Sequence, residues 1–496
     1  MVRARSSAPS APLCGASVDQ SLALITAAVT CGLFALVGIL YARRQRTDAD
    51  GFTTAAASAG IVRSATSLVA LCAGTWVLSS PGETATWAGL PGLVGYALGS
   101  AAPLLILAWL GPALVRRYPG APSIGLMARA RWGVPAQLLV SVIAVTYMAV
   151  YMCADLTAVS TAGKALAGLD PAVIAVLVAA TTLTYAVWGG LRATIFTDAV
   201  QFWFVLPLLA MAAVAAVSAL GGWEAAQQPL LGHPLMEPLA SMGVGMGLCL
   251  LIAIPAANLF DQSQWQRVVA CADTRTVRWA FSLAALGMAV VVLGAGWFGL
   301  WYAAHGMDPA TANSALLVLI ASKTPLWAVL GVLALAMILV MSTLGSLANG
   351  IASVVANDLA SLRPATTPGQ RLWTGRLVTA LAALIAVPIA AQQPSVTYVF
   401  LVADLLCAAA VIPVFAGLAG WRLSAPGLFI ATAAGLVAGG VCFPDSVYPA
   451  NPLLVDLRPW LGLPADLNTF LVSFALAIAV SGLVALGIRI AAPARR

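Results

Sequence analysis

Long apolar segments recur along the whole chain, and they constrain its fold more than any other feature. Runs of about 20 apolar residues are long enough to cross the ~30 Å hydrocarbon layer of a membrane as α-helix. The chain of 496 residues is 61% hydrophobic and 8% charged, whereas a soluble protein carries about 25% charged residues. The runs lack the ~10-residue alternation of a membrane β-barrel. We therefore predict an all-α, polytopic membrane protein without a soluble domain.

Thirteen segments are predicted to be transmembrane helices. We place them near 19–42, 64–90, 91–114, 134–160, 171–188, 194–220, 240–266, 277–303, 325–357, 372–391, 396–418, 421–442 and 468–490. Residues 1–18, rich in Ser, Ala and Pro, are predicted to be disordered. Residues 19–63 then hold the first helix and a cytoplasmic loop, and residues 421–496 hold two C-terminal helices and a short tail.

Basic residues set the predicted orientation. With the N-terminus outside and the C-terminus in the cytoplasm, 19 of the 24 Lys and Arg residues fall in cytoplasmic segments, which satisfies the positive-inside rule. The net charge of +7 then follows from membrane topology rather than from a nucleic-acid-binding surface. We predict a multi-pass protein of the cell (inner) membrane, embedded in the lipid bilayer.

The inner segments divide into two groups of five, residues 64–220 and 240–418. Because five is an odd number, the second group must cross the membrane in the opposite sense. The first segment of each group contains helix-breaking residues. One has Gly74 and 79–82, and the other has Pro255 followed by Asn258, Asp261 and Gln262. Broken helices at matching places in two halves indicate a binding site at the membrane midplane. Two unrelated proline kinks are the alternative interpretation.

Acidic side chains fall at membrane depth. Glu83, Asp155, Asp261 and Asp404 lie within or at the ends of predicted spans, and Asp198 begins another. A carboxylate at such depth is costly unless it faces water, a partner or an ion. Together these acids indicate a cavity that attracts cations. For one or two of them, a place at the membrane interface is the alternative.

Three hydroxyl residues, Ser342, Thr343 and Ser346, lie in one apolar helix. Ser342 and Ser346 are four residues apart and share a face, and Thr343 is adjacent to Ser342. A hard cation such as sodium binds oxygen atoms, which hydroxyls and the carbonyls of an unwound helix supply. Small hydroxyl residues also permit close packing of membrane helices, and the pattern taken alone favours packing.

Three motifs within about residues 20–420 resemble those of the sodium:solute symporter family. They are 185–201, with Gly189-Gly190 and Thr197-Asp198; 258–270, with Asp261-Gln262 and Gln266-Arg267; and 341–359, with Ser342-Thr343 and Asn357-Asp358. The resemblance implies a five-plus-five inverted-repeat fold of the leucine-transporter type. It also implies alternating access driven by a sodium gradient.

The same resemblance implies roles for individual residues. Sodium, the coupling ion, would be bound by the carbonyls of Ala70 and Ala73 and by the hydroxyls of Ser342 and Thr343, with Ser346 on the same helix face. Asp198 would line the route by which sodium leaves to the cytoplasm. The substrate would lie between the two broken helices, near Gly74, Thr75, Trp76, Glu83, Asp155, Asp261, Gln262 and Asp404.

The segment 74–83 is more similar to one branch of the family than to its proline and sugar branches. That branch contains urea transporters and the transporter domains of sensor kinases. The sequence Asp404-Leu-Leu-Cys407, followed by Pro413, resembles the same branch. This similarity leaves the substrate open.

These features predict a secondary active transporter that imports a small polar solute, such as an amino acid, urea or an amine, together with sodium. An enzyme is not expected, because the spans contain no nucleophile arrangement or metal cluster. Two alternatives stay open. One is a proton-coupled symporter, since Glu83 and Asp404 could titrate. The other is a solute sensor, which would need a separate signalling partner.

Overall fold

The apolar segments form helices because a membrane offers no water to backbone N–H and C=O groups, and a helix pairs these groups within the segment. The computed structural model describes residues 18–44, 59–444 and 468–491. Predicted features in 1–17, 45–58, 445–467 and 492–496 lie outside the described residues. Within the described ranges there is no β-strand, only an isolated parallel bridge between Ala59 and Cys271.

The described residues form sixteen α-helices, which are numbered in chain order. They are α1 (Gln20–Arg44), α2 (Ile61–Cys72), α3 (Ser80–Arg117), α4 (Ile124–Trp132), α5 (Val134–Ala167), α6 (Pro171–Ala219), α7 (Trp223–Gln227), α8 (Ser241–Asn258), α9 (Gln262–Ala270), α10 (Thr274–Ala304), α11 (Ala315–Lys323), α12 (Leu326–Leu362), α13 (Pro368–Ala391), α14 (Val396–Leu418), α15 (Ala425–Cys442) and α16 (Thr469–Ala491).

Two of the long helices bend sharply at a glycine. Gly89 in α3 has φ 62° and ψ −161°, and Gly190 in α6 has φ 63° and ψ −175°. Glycine adopts positive φ without the steric penalty that a Cβ would bring. Each bend separates two successive predicted membrane segments, and the second lies at the Gly189-Gly190 pair of the first motif. With these bends counted, each of the thirteen predicted segments is helical over most of its length, and two of them, 64–90 and 240–266, are interrupted.

Eleven helical segments within the described ranges are long and apolar enough to cross a membrane. The other two predicted spans fall short for physical reasons. One is the segment 64–90, which is broken, and the other is Pro171–Ala186, which is a shorter apolar helix.

Two helices are interrupted, as predicted. The first interruption separates α2 from α3 and contains a short 3₁₀ helix, Thr75–Leu78. The second separates α8 from α9. Of the predicted breaking residues in the second segment, Pro255 lies inside α8, whereas Asn258, Asp261 and Gln262 lie at the interruption itself. Pro81 lies in the first turn of α3, where its missing N–H is harmless.

Helix α12 occupies the centre of the molecule. In its most apolar 18-residue window 83% of residues are buried, against 28% in α13 and α16. Large apolar side chains such as Trp109, Trp203 and Leu286 are exposed on the outer surface. An apolar exterior of this kind suits contact with lipid. The polar helix face that carries Ser342 and Ser346 is therefore turned inward.

Side chains cap the starts of two long helices. Asp170 accepts the backbone N–H of Ala172 at the start of α6, and Asp273 accepts that of Thr276 at the start of α10. Such bonds satisfy N–H groups that have no partner within the helix. The bond from Thr276 also holds the pKa of the Asp273 carboxyl below its usual value.

Candidate substrate and ion site

The first interruption exposes unwound backbone inside the protein. The Trp76 N–H donates to Asp155 Oδ1 at 3.1 Å, and the Thr75 hydroxyl donates to the Ala336 carbonyl at 2.8 Å. Asp155 comes from α5 and is fully buried, and its other oxygen, Oδ2, has no hydrogen-bond partner among the described residues. Irregular backbone at membrane depth needs such support from neighbouring helices. Gly74, Thr75, Trp76 and Asp155 are thus brought together at one place.

The second interruption is held by Asp261 and Gln262. Asp261 Oδ1 accepts the backbone N–H of Ser263 at 2.8 Å and its hydroxyl at 2.5 Å, which caps the start of α9. Gln262 Nε2 donates to the Pro122 carbonyl at 2.9 Å, and its Oε1 accepts the Ile124 N–H. Both residues belong to the framework of the break. Neither lines the cavity described next.

A cavity lies between the two interruptions. It is lined by Cys72, Trp76, Tyr96, Ser100, Pro103, Tyr147, Tyr151, Leu250, Ile254, Asn258, Met288, Thr397, Phe400, Leu401 and Asp404. Of the predicted substrate residues, only Trp76 and Asp404 are in this set. The lining is mostly apolar and aromatic, with few polar groups, which is typical of small-molecule sites.

Aromatic rings form much of the cavity wall. Trp76 stacks on Tyr96 with ring centroids 5.7 Å apart and an interplanar angle of 10°. Phe400 meets Tyr151 edge-on at 5.0 Å and Trp76 at 6.0 Å. Trp76 Nε1 donates to the Tyr151 hydroxyl at 3.1 Å, which fixes the orientation of the indole. The faces of such rings attract cations.

Asp404 is the acidic group of the cavity. It comes from α14 and is 3% exposed. No hydrogen bond or ion pair reaches its carboxylate from the described residues, and no Lys or Arg lines the cavity. A buried carboxylate without a partner is unfavourable unless a cation or a proton joins it. The cavity therefore has one unmatched acidic group.

Glu83 lies in a separate polar cluster at the start of α3. Its carboxylate accepts the hydroxyls of Ser395 at 2.9 Å and Thr397 at 3.0 Å. Ser80 lies between Thr397 and the Tyr96 hydroxyl, at 2.7 Å and 2.8 Å. This network joins Glu83 to the cavity wall through hydroxyl groups. Glu83 itself does not line the cavity.

Asp198 is the centre of a buried ionic cluster, which we define as Asp198, Arg267, Ser67, Ser342 and Ser346. Arg267 Nη2 lies 2.6 Å from Asp198 Oδ2, and the two side chains are 1% and 0% exposed. Ser342 donates to Asp198 Oδ1 at 2.7 Å, and Ser346 and Ser67 donate to Oδ2 at 3.1 Å and 3.2 Å. Two of the predicted sodium ligands thus contact the predicted exit residue.

Arg267 is one of the 19 basic residues that the predicted topology assigns to cytoplasmic loops, and this assignment is wrong. It lies in α9, buried, and its guanidinium also donates to Ser346 Oγ at 2.7 Å, to the Ser263 carbonyl at 2.9 Å and to Ser67 Oγ at 3.2 Å. An arginine can be buried when a carboxylate and several acceptors surround it. The positive charge of Arg267 therefore lies inside the protein and does not support the predicted topology.

The remaining predicted sodium ligands lie where α2 ends against α12. Helix ends leave carbonyls without helical partners, and most of those at the end of α2 are taken. Val69 O accepts the Ala73 N–H at 2.7 Å, Leu71 O accepts the Thr343 hydroxyl at 3.1 Å, and Cys72 O accepts Trp76 Nε1 at 3.1 Å. The fourth carbonyl of this turn is that of Ala70, one of the predicted sodium ligands. Hydroxyl and carbonyl oxygens of this kind suit a hard cation such as sodium.

Comparison with known families identifies the relationship. A family model described as the sodium:solute symporter family matches residues 52–435. The chain belongs to the sodium:solute symporter family. The resemblance carried by the three motifs is thereby confirmed.

Similar proteins are transporters. The chain is 26% identical to the spermidine transporter DUR31 of Candida albicans over 362 residues. The aligned region covers 72% of this chain and 67% of that protein. Its fold is similar to that of a Na⁺-coupled sialic acid symporter in a substrate-bound outward-open state, with a TM-score of 0.75, 16% identity, and 96% of this chain and 99% of that chain covered.

A second solved structure with a similar fold is Mhp1, a nucleobase-cation-symport-1 family transporter, in a closed conformation with bromovinylhydantoin bound. The TM-score is 0.57 at 14% identity, with 89% of this chain and 95% of that chain covered. The predicted leucine-transporter-type fold with a five-plus-five inverted repeat is confirmed. The exact limits of the repeats, 64–220 and 240–418, stay a prediction.

Several site residues escaped the sequence-based prediction. Tyr147 and Tyr151 are four residues apart on α5 and therefore share one helix face. An aromatic lining could have been predicted from this spacing. Tyr96 and Phe400 carry no comparable pattern, because aromatic residues are common throughout membrane helices. The pairing of Arg267 with Asp198 joins residues 69 apart in sequence, and no local pattern indicates it.

Proposed function

We propose that this protein is a sodium-coupled symporter that imports a small organic cation with one or more ammonium groups. Transport would follow alternating access, with the solute bound in the aromatic cavity. The observation that carries the proposal is the Asp404 carboxylate, buried in that cavity without a protein partner.

The cavity chemistry favours an ammonium group over the other predicted solutes. An ammonium ion would neutralise Asp404 and lie against the faces of Trp76 and its neighbouring rings. An amino acid would bring its own carboxylate, and no Lys or Arg lines the cavity to receive it. Urea is neutral and would leave Asp404 without a counter-charge. The name of the fungal relative, a spermidine transporter, agrees with an amine.

Sodium is proposed to bind where α2 ends against α12. Its ligands would be the carbonyls of Ala70 and Ala73 and the hydroxyls of Ser342 and Thr343, with Ser346 nearby. The ion would order the unwound segment at Gly74, which contributes Trp76 to the substrate cavity. Coupling requires that ion and solute both favour the same conformational state. Asp198 would receive sodium on its way to the cytoplasm.

Orientation is part of the same proposal. The N-terminus would lie outside and the C-terminus in the cytoplasm of a cell (inner) membrane. In that orientation the inner halves of the broken helices, α2 and α9, would face the cytoplasm. Solute and sodium would then enter the cell in the same direction.

Uptake into proteoliposomes tests the proposal. Purified protein would be reconstituted, and uptake of labelled spermidine, putrescine, choline, proline and urea would be measured under an inward sodium or potassium gradient. We expect sodium-driven uptake of one or more of the three compounds with ammonium groups, which are spermidine, putrescine and choline. Asp404→Asn should abolish it, whereas Glu237→Gln, which changes an exposed carboxylate of an outer loop, should not. Sodium-driven uptake of urea or proline alone would contradict an amine substrate.

Proton coupling is the second candidate. No cationic side chain of the described residues pairs with Glu83, Asp155 or Asp404, all of which are buried. Carboxyl groups in such places can carry protons. Uptake driven by a pH gradient without sodium would favour this candidate. Binding of an amine without any uptake would instead favour a sensor that acts through a separate partner.

A further inference from the structure

We propose that Arg267 is a built-in cation that competes with transported sodium for Asp198. The inference rests on the proposed sodium coupling and concerns the ionic cluster of Asp198, Arg267, Ser67, Ser342 and Ser346. The positive charge of Arg267 would then determine how readily sodium moves from its binding site to Asp198.

The two oxygens of Asp198 face different partners. Oδ2 contacts Arg267 at 2.6 Å, whereas Oδ1 accepts the hydroxyl of Ser342 at 2.7 Å. Ser342 is also one of the proposed sodium ligands. With sodium at its proposed site, the carboxylate would lie between the guanidinium on one side and the ion on the other.

Charge balance makes the two cations antagonists. Asp198 and Arg267 together are neutral, and both side chains are almost completely buried. A sodium ion that reaches Asp198 while Arg267 stays in place adds an uncompensated positive charge to a buried site. Like charges a few ångströms apart repel strongly where water is excluded. Occupancy of Asp198 by sodium therefore favours release of Arg267.

Release of Arg267 has a structural consequence. Arg267 belongs to α9, the second half of one broken helix, and its Nε donates to Ser67 of α2, the first half of the other, at 3.2 Å. Through its ion pair with Asp198, Arg267 also links α2 and α9 to α6. Through its hydrogen bond to Ser346, it links them to α12. Displacement of this one side chain would loosen both half-helices from the surrounding helices. The exit of sodium and the opening of that face would thus be linked.

Arginine suits this role better than lysine. Its planar guanidinium directs Nε, Nη1 and Nη2 toward different acceptors at once, here Ser67, the Ser263 carbonyl and Asp198. A lysine would keep the charge but could not span these three helical elements in the same way. Charge and bridging can therefore be separated by substitution.

Sodium titration of variants in detergent tests the inference. Binding would be followed by the fluorescence of the 15 Trp residues, with potassium replacing sodium at constant ionic strength. We expect Arg267→Gln to lower the half-saturating sodium concentration by about tenfold, because the competing charge is gone. Arg267→Lys should stay within about threefold of the wild type, because it retains the charge. Arg116→Gln, an exposed arginine bonded to Thr274, is the control and should change nothing.

The direction of the shift separates competition from a structural role. Loss of a structural arginine would distort the site and weaken sodium binding, so unchanged or weaker binding by folded R267Q overturns the inference. If R267Q does not fold, Arg267→Met, which keeps Asp198 and a long side chain without the charge, replaces it in the same titration. Tighter sodium binding by R267M than by the wild type supports competition, and equal or weaker binding refutes it. Absence of sodium binding by the wild-type protein would instead contradict the proposed function.

Discussion

The Asp155 carboxylate lies directly against Gly74 at the first helix break. A Cβ built on Gly74 would lie 2.6 Å from Asp155 Oδ1 and 2.7 Å from Oδ2. Asp155 Oδ1 meanwhile accepts the N–H of Trp76. The glycine therefore lets a buried acid approach and hold unwound backbone. The shape of the break, and with it the direction of the Trp76 ring, depends on this contact.

Gly74→Ala is expected to disturb both folding and transport. The added methyl must displace Asp155, and overpacking of a buried site costs about 1–3 kcal/mol. We expect a lower unfolding temperature in detergent and a large loss of solute uptake. Gly294→Ala is the matched control, because a Cβ at Gly294 in α10 meets nothing within 4 Å. If G74A and G294A unfold and transport alike, the proposed contact has no functional weight.

Removal of the α12 hydroxyls should weaken sodium binding. The double variant Ser342→Ala with Thr343→Ala lacks two proposed oxygen ligands. If each contributes about 1 kcal/mol, the sodium concentration for half-maximal uptake rises about 30-fold. Thr343→Ser keeps a hydroxyl and should bind sodium nearly as the wild type does. Unchanged sodium dependence of uptake in the double variant would remove these residues from the ion site.

The aromatic wall should matter most through Trp76. Its ring stacks on Tyr96 and contacts Phe400, and a cation against such a face gains about 0.5–2 kcal/mol. Trp76→Leu should therefore raise the KM for an ammonium solute by several-fold to about 30-fold. Trp76→Phe also lacks the indole N–H, as Trp76→Leu does, but it keeps an aromatic face. Its KM should therefore rise less than that of Trp76→Leu. Equal KM values for the two variants would argue against cation–π recognition.

Sequence alone predicted the helices well because their cause is local. Long apolar runs specify helices in lipid wherever the rest of the chain lies, and the Gly189-Gly190 turn and the two breaks carry local signals as well. Boundaries were less accurate. Pro255 lies within α8 although proline favours a break, because a membrane helix accommodates proline when neighbouring groups satisfy the freed carbonyl.

The composition of the site was harder to predict because it depends on tertiary contacts. Asp404 and Trp76 were expected near the substrate, and the structure places both on the cavity wall. Gln262 was expected there too, but it bonds to the Pro122 carbonyl instead. Whether a polar side chain faces a cavity or a neighbouring loop is decided by the crossing of distant helices. The burial of Arg267 has the same origin.

Glu83 offers a test of proton coupling. Its two oxygens accept hydroxyls of Ser395 and Thr397, and glutamine can keep one such acceptor while losing the ability to titrate. If sodium alone drives transport, Glu83→Gln should retain sodium-driven uptake with a change of a few-fold at most. Uptake by the wild type and E83Q would be compared across pH. Uptake that loses its pH dependence only in E83Q would show that Glu83 carries a transported proton.

The proposed orientation predicts which exposed residues a thiol reagent reaches from each side. Lys164, at the end of α5, is predicted outside, and Arg363, after α12, is predicted in the cytoplasm. Every cysteine in the described ranges is buried, so with Cys14 replaced by serine the background labelling should be low. A membrane-impermeant maleimide applied to intact cells should label Lys164→Cys within minutes and Arg363→Cys only after permeabilisation. The reverse pattern would place the N-terminus in the cytoplasm and invert the direction assigned to the sodium exit at Asp198.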